Sequence, residues 1–169
     1  AGMPLGPGRV REFSRVPSYI GEMQGGPSDR VSRISEKLTH AGLETRPSEY
    51  IRFEIWKKLL GNISMSAISG LTNLSSAEAN KVPELKVVSI QAMEEALKVA
   101  QAHGIELNRE TVLEGMEIIS QPGGTGDNKS SLCMDLLSRR PTEVDFIYGN
   151  VIKLGKEKKI KTPTLKTLH

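Results

Sequence analysis

Residues 48 to 68 read SEYIRFEIWKKLLGNISMSAI. Ile51, Ile55, Trp56, Leu59, Leu60, Ile63, Ala67 and Ile68 recur at the 3.6-residue period over about five turns, which predicts a long helix with a buried face, capped by Ser48. One polar row interrupts it. Lys58, Asn62 and Ser66 stand four apart, so they share a face as one cation and two hydrogen-bonding groups, with Gly61 thinning the flank. Such a row suits an anion with oxygen substituents, because a lysine can bind a carboxylate or protonate a carbonyl oxygen. The same spacing admits a plainer reading, in which Glu54 pairs with Lys58 across one turn of a solvated face.

Downstream the chain reads as helix after helix. Pro83 opens a helix through Val87, Val88, Ala92, Ala96 and Val99, with His103 in its last turn and Gly104 as its stop. Asn108 caps another, with Val112, Leu113, Met116 and Ile119 inside, before Pro122. A glycine-rich loop from Gly123 to Asn128 leads to a short helix around Leu132, Met134, Leu136 and Leu137. Pro141 is expected to start a helix carrying Val144, Ile147, Tyr148, Val151, Ile152 and Leu154. Thr162-Pro163 has the form of a helix start, yet six residues follow Pro163, too few for a stable helix by themselves.

Upstream the pattern differs. Val10, Phe13, Val16, Tyr19 and Ile20, set among Arg, Ser, Pro and Gly, suggest one or two short strands between Arg9 and Glu22. After the break at Gly25-Gly26-Pro27, Ser28 caps a helix with Val31, Ile34 and Leu38 on its buried face. Gly42 stops it, and Leu43 to Arg46 form a strand before Pro47. Residues 1–48 therefore read as a strand–helix–strand remnant of an α/β layer, with too few strands to stand alone. Residues 49–169 read as a helical domain, and the whole as a mainly α piece of a longer protein.

Composition narrows the function. With 37% apolar and 25% charged residues, the chain is an ordinary folding sequence. No apolar run approaches the roughly 20 residues of a bilayer span, and the opening residues lack the order of a secretory signal, so the cytoplasm is the expected compartment. The lone Cys133 excludes an internal disulfide. The net charge is +3, with basic residues gathered at Lys153, Lys156, Lys158, Lys159 and Lys161 in the last turns of a predicted helix, where its dipole favours cations. Aromatics, at 4%, are scarce for base stacking, so neither nucleic acid nor membrane is an expected partner. His40, His103 and His169 lack metal-ligand spacing, and no metal is expected. Asn128 stands where a phosphate loop over Gly123–Ser130 needs its second glycine, and no Gly-x-Gly-x-x-Gly follows a strand.

A second polar constellation follows the loop. Ser130, Ser131 and Asp135 open the short helix, and Arg139 to Asp145 join it to the next, with Thr142 and Glu143 placed as ordinary capping and dipole residues. Taken in order, Trp56-Lys-Lys-Leu-Leu-Gly-Asn62, Lys129-Ser-Ser-Leu-Cys-Met-Asp135, Arg140-Pro-Thr-Glu-Val-Asp145, Gly149-Asn150 and Thr162-Pro163-Thr164 resemble the C-terminal domain of the ketopantoate reductase (2-dehydropantoate 2-reductase) family. The resemblance covers roughly Ile51 to His169. Ser18-Tyr-Ile-Gly-Glu22 and the helix ending Ala41-Gly42 are similar to the end of that family's cofactor domain.

The resemblance implies a Rossmann-like domain binding NADPH, of which residues 1–48 are the tail. It also implies an all-helical domain of the 6-phosphogluconate-dehydrogenase C-terminal-like type. The implied reaction reduces 2-dehydropantoate to pantoate, on the way to pantothenate and coenzyme A. Lys58 matches the family's general acid, Asn62 and Ser131 its substrate-binding residues, and Glu143 its glutamate beside the cofactor. Ser66, a third substrate-side position, departs from the asparagine of many members. A keto acid is the implied small-molecule partner and a homodimer through the helical domain a further one. Activity is expected only once the nucleotide domain is joined. A helical binding module without catalysis and a reductase of another 2-keto acid are the competing readings.

Overall fold

The polar interruptions and the apolar period of residues 51–72 produce one helix, Ile51–Thr72 (α2), the longest in the chain. The computed structural model describes residues 2–12, 16–121 and 125–169. Phe13 and the Pro122–Gly124 part of the glycine-rich loop lie outside the described residues, as does the Ile119 side chain. The chain divides into two compact units, Ala1–Ile55 and Trp56–His169.

Among its described residues, the first unit holds four short strands and one helix before α2 begins. Gly2–Gly6 (β1) and Arg9–Glu12 (β2) form an antiparallel hairpin that pairs Pro4 with Val10, with an irregularity between Pro4 and Gly6. The sequence reading placed no strand at Gly2–Gly6. A two-stranded ribbon has edges on both sides, which is where glycine and proline are tolerated in strands. Ser18–Ile20 (β3) and Thr45–Pro47 (β4) pair in parallel through the helix Asp29–His40 (α1). Ser28 caps α1 by accepting the Val31 amide, and Gly42, at φ +92°, turns the chain out of it. The buried face of α1 differs from the expected one, with Val31 and Ser35 buried and Ile34 exposed. Ser35 takes that place because its hydroxyl donates to the Thr45 carbonyl and ties α1 to β4.

The second unit is helical. After α2 come Ser76–Asn80 (α3), Pro83–Ala102 (α4), Arg109–Ser120 (α5), Ser131–Leu137 (α6), Asn150–Glu157 (α7) and Pro163–Leu168 (α8). Helix α3 was not anticipated, although Ser75 and Glu78 form a reciprocal capping box at its start. Asn108 and Ser130 cap α5 and α6 through the amides of Thr111 and Cys133, as their spacing predicts. Buried Ala92, Ala96, Val99 and Ala100 make α4 a slim central helix. Gly155 of α7 lies so close to it that an added Cβ would stand 3.2 Å from Val99.

Two expectations change. The helix expected at Pro141 begins at Val144 and opens with a π-helical turn, Asp145–Gly149, before α7. Arg139, at φ 52°, and the Arg140–Asp135 ion pair at 2.7 Å hold the preceding residues as a connector. The six-residue α8 does form, because Leu165 is fully buried and Glu95 of α4 accepts the Thr164 and Leu165 amides at 2.9 and 3.0 Å. Among the described residues, no helix is long and apolar enough to cross a membrane, and no group of side chains is placed to hold a metal ion.

Candidate active site

Helix α2 carries five polar side chains from Lys58 to Ser69, and they divide by what they bond. Ser64 and Ser69 are fully buried, and their hydroxyls donate to the Gly61 and Leu74 carbonyls, each at 2.7 Å. These groups are satisfied inside the helix and its exit. Lys58, Asn62 and Ser66 behave differently. Going down the helix they pass from exposed to half-buried to 5% exposed, yet none has a side-chain hydrogen bond or ion pair among the described residues. Glu54 is no partner of Lys58. No buried side-chain nitrogen or oxygen among the described residues lacks a partner, so the Asn62 amide and the Ser66 hydroxyl reach solvent and leave this face open to a polar ligand.

The start of α6 is fastened to the lower end of that face. The Ser130 hydroxyl donates to the Ser66 carbonyl at 3.1 Å and accepts the Cys133 amide, while the Ser130 amide donates to the Ser69 hydroxyl at 3.1 Å. Gly70 permits the approach, since a Cβ there would stand 2.6 Å from Leu132 Cδ2. Asn73, at φ 59°, closes the corner by accepting the Lys129 ammonium at 2.6 Å. Ser131, the next residue along, is therefore held beside the Ser66 turn. It is exposed, and its hydroxyl has no partner among the described residues. Sequence reading names Ser130 and Ser131 together at the start of α6, but not Ser69, which ties Ser130 to α2. The Ser-x-x-Cys pattern of a capped helix signals the cap of α6, and nothing local signals its bond to α2.

Glu143 is not drawn into that network. It is exposed, its carbonyl accepts the Phe146 and Ile147 amides, and its carboxylate has no partner among the described residues. Its segment meets α2 through Tyr148, whose hydroxyl donates to the Ile63 carbonyl at 2.7 Å. Arg140 donates to the Asp135 carboxylate, which removes both from the groups open to a ligand.

A phosphate-bearing cofactor could in principle sit on α1, which follows a glycine-rich turn after β3. That helix start is filled by the chain itself. Ser28 donates to Glu22 at 2.8 Å, and Arg30 donates to both Glu22 carboxylate oxygens at 3.2 and 2.6 Å. These side-chain bonds hold the Glu22 carboxyl below its usual range and set a negative charge beside the Ser28 cap, which disfavours a phosphate there. Two surface cavities, about 390 and 340 Å³, lie elsewhere, and no residue of α2 lines either. An open helix face is not concave by itself.

Fold and polar face together define a helical domain of the 6-phosphogluconate-dehydrogenase C-terminal-like type, preceded by a short parallel strand–helix–strand. Residues 50–169 match the family model described as ketopantoate reductase PanE/ApbA C terminal. The chain belongs to that family. It is 31% identical to the 2-dehydropantoate 2-reductase of Mesorhizobium japonicum, an alignment covering 94% of this chain and 48% of that protein. The Halobacterium salinarum 2-dehydropantoate 2-reductase is 26% identical over 96% of this chain and 52% of its own length. Among solved structures, D-mandelate dehydrogenase with NADH and anilino(oxo)acetate superposes at a TM-score of 0.92, with 26% identity, over 99% of this chain and 55% of that one. The chain spans about half the length of the curated relatives it matches.

Proposed function

We propose that this chain is the substrate-side half of a nicotinamide-dependent cytoplasmic reductase that converts 2-dehydropantoate to pantoate. On this reading, residues 1–48 are the tail of its NADPH-binding domain and residues 49–169 its helical domain. One observation carries the reading: Lys58, Asn62 and Ser66 form one row of α2 with no side-chain partner among the described residues, while the other buried serines of that helix, Ser64 and Ser69, are satisfied, within a chain of this family.

The chemistry follows from the groups. The cofactor, when bound, supplies the hydride to the carbonyl carbon. Of the residues in this chain, Glu143 fits the cofactor, because its free carboxylate can accept from hydroxyl or amide donors. Lys58 gives a proton from Nζ to the ketone oxygen, so the carbonyl becomes a hydroxyl, and the lysine recovers its proton from solvent. Asn62 bonds the substrate's oxygen substituents through its amide. Ser131 donates to the carboxylate, assisted by Ser66 at the buried end of the row. A cation and neutral donors aimed at an anionic keto acid lower the energy of the charge that grows on oxygen.

In the intact protein, replacing Lys58 with Ala should lower kcat for 2-dehydropantoate by about a hundredfold to ten-thousandfold, the span of general acid catalysis. Turnover within a few-fold of the wild type removes Lys58 as the acid. Comparing kcat/KM with NADPH and NADH decides the cofactor. A second reading has its own support in the likeness to D-mandelate dehydrogenase and in the short Ser66 side chain. It makes the substrate a bulkier 2-keto acid, and profiling the intact protein against aliphatic and aromatic 2-keto acids separates the two.

A further inference from the structure

Tyr148 is fully buried, on a π-helical turn, and reaches 85 residues back to α2. Its hydroxyl donates to the Ile63 carbonyl at 2.7 Å and accepts the Ala67 amide at 3.0 Å. Ile63 and Ala67 are four apart, so these are the two backbone groups that bond each other in an undisturbed helix. A hydroxyl that bonds both groups competes with that rung, and insertions of this kind are a recognised cause of helix bending. The rung spans the turn that separates Asn62 from Ser66. The opposing segment departs from regular α geometry where Tyr148 sits, and π-turns of this kind gather at functional sites.

From this geometry we infer that Tyr148 is a positioning residue for the reductase site. Its hydroxyl, inserted into the Ile63–Ala67 rung, sets the tilt of the Ser66 turn relative to Lys58 and Asn62, and the same bond fixes the segment that begins at Glu143. The inference rests on the proposed function for its effect on turnover, and on the hydrogen bonds alone for its effect on α2. Burial pushes the phenol up to about 12, so the hydroxyl stays a donor across the physiological range. The alternative role for a buried tyrosine, filling space, needs the ring and not the hydroxyl. Phenylalanine therefore separates the two.

The test is Tyr148→Phe in the intact protein, with two readouts. In steady-state kinetics, kcat/KM for 2-dehydropantoate should fall about tenfold to a hundredfold, chiefly through KM, because misplacing binding groups by around an ångström has effects of that size. Combined with Asn62→Ala, the loss should be less than the product of the single losses, since both act through one set of contacts. In hydrogen exchange, the Ala67 amide should change its rate by about tenfold while α4 amides stay as they were. A kcat/KM within about twofold of wild type overturns the inference, and so does a loss that multiplies cleanly with that of Asn62→Ala. Failure of the variant to fold also overturns it, placing the hydroxyl in stability. If the wild-type protein does not reduce 2-dehydropantoate, the proposed function falls. The exchange readout still decides the insertion, and an unchanged Ala67 rate removes it.

Discussion

The C-terminal helix α8 is held by a carboxylate from another helix, and removing that carboxylate gives the sharpest quantitative test of the fold. Thr162 occupies the N-cap position of α8 without a side-chain capping bond. Glu95 of α4 takes over, with one oxygen on the Thr164 amide at 2.9 Å and the other on the Leu165 amide at 3.0 Å. A hydrogen bond to a charged group contributes about 1.5–3 kcal/mol, and a lost helix cap typically costs about 1 kcal/mol. Glu95 is half-buried and water can replace part of the loss, so Glu95→Ala should weaken the docking of α8 by about 2 kcal/mol in all. A six-residue helix has no stability of its own to make up the difference. The assay is hydrogen exchange at Lys166 and His169, whose amides bond back to the Thr162 and Leu165 carbonyls. About 2 kcal/mol corresponds to roughly thirtyfold faster opening. Glu94→Ala is the control, because its neighbouring carboxylate bonds Arg109 at the surface and should change these rates by less than about threefold. Equal rates for Glu95→Ala and Glu94→Ala would mean that burial of Leu165 alone holds α8, and the capping argument would be wrong.

Two further outcomes are expected. Gly70→Val places new atoms where even a Cβ would stand 2.6 Å from Leu132 and 3.2 Å from Leu136. Overpacking of this kind should lower stability by about 1–3 kcal/mol and raise KM by displacing Ser131 with α6; a variant with unchanged KM would separate Ser131 from substrate binding. Tyr148 also predicts an alkaline limit. Its folded pKa of about 12 lies above the ordinary 10.0, so the folded state holds this proton more tightly. That contribution is complete below pH 10 and is lost as pH rises through about 12, a loss on the order of 2 kcal/mol. Urea midpoints measured across this range should fall for the wild type and lose this component in Tyr148→Phe; equal slopes would refute the burial argument.

Local chemistry alone determined a good deal of this protein. The period of α2, the caps at Ser28, Asn108 and Ser130 and the stop at Gly42 each depend on residues within a turn or two, so they can be read along the chain. The capping box at Ser75 and Glu78 is equally local. The partition of the serines on α2 was not local. Residue type treats Ser64, Ser66 and Ser69 alike, and spacing leaves Lys58 available to Glu54 or to a ligand. Tertiary structure separates them by supplying or withholding partners. Ser69 meets Ser130 across 61 residues, Ser66 meets it across 64 through its carbonyl alone, and Tyr148 reaches the same helix across 81 and 85. Helix α8 likewise stands because Glu95 meets it from about 70 residues away in the chain. The polarity of a side chain is written in the sequence, but whether its hydrogen bonds are already used depends on which distant segments fold against it.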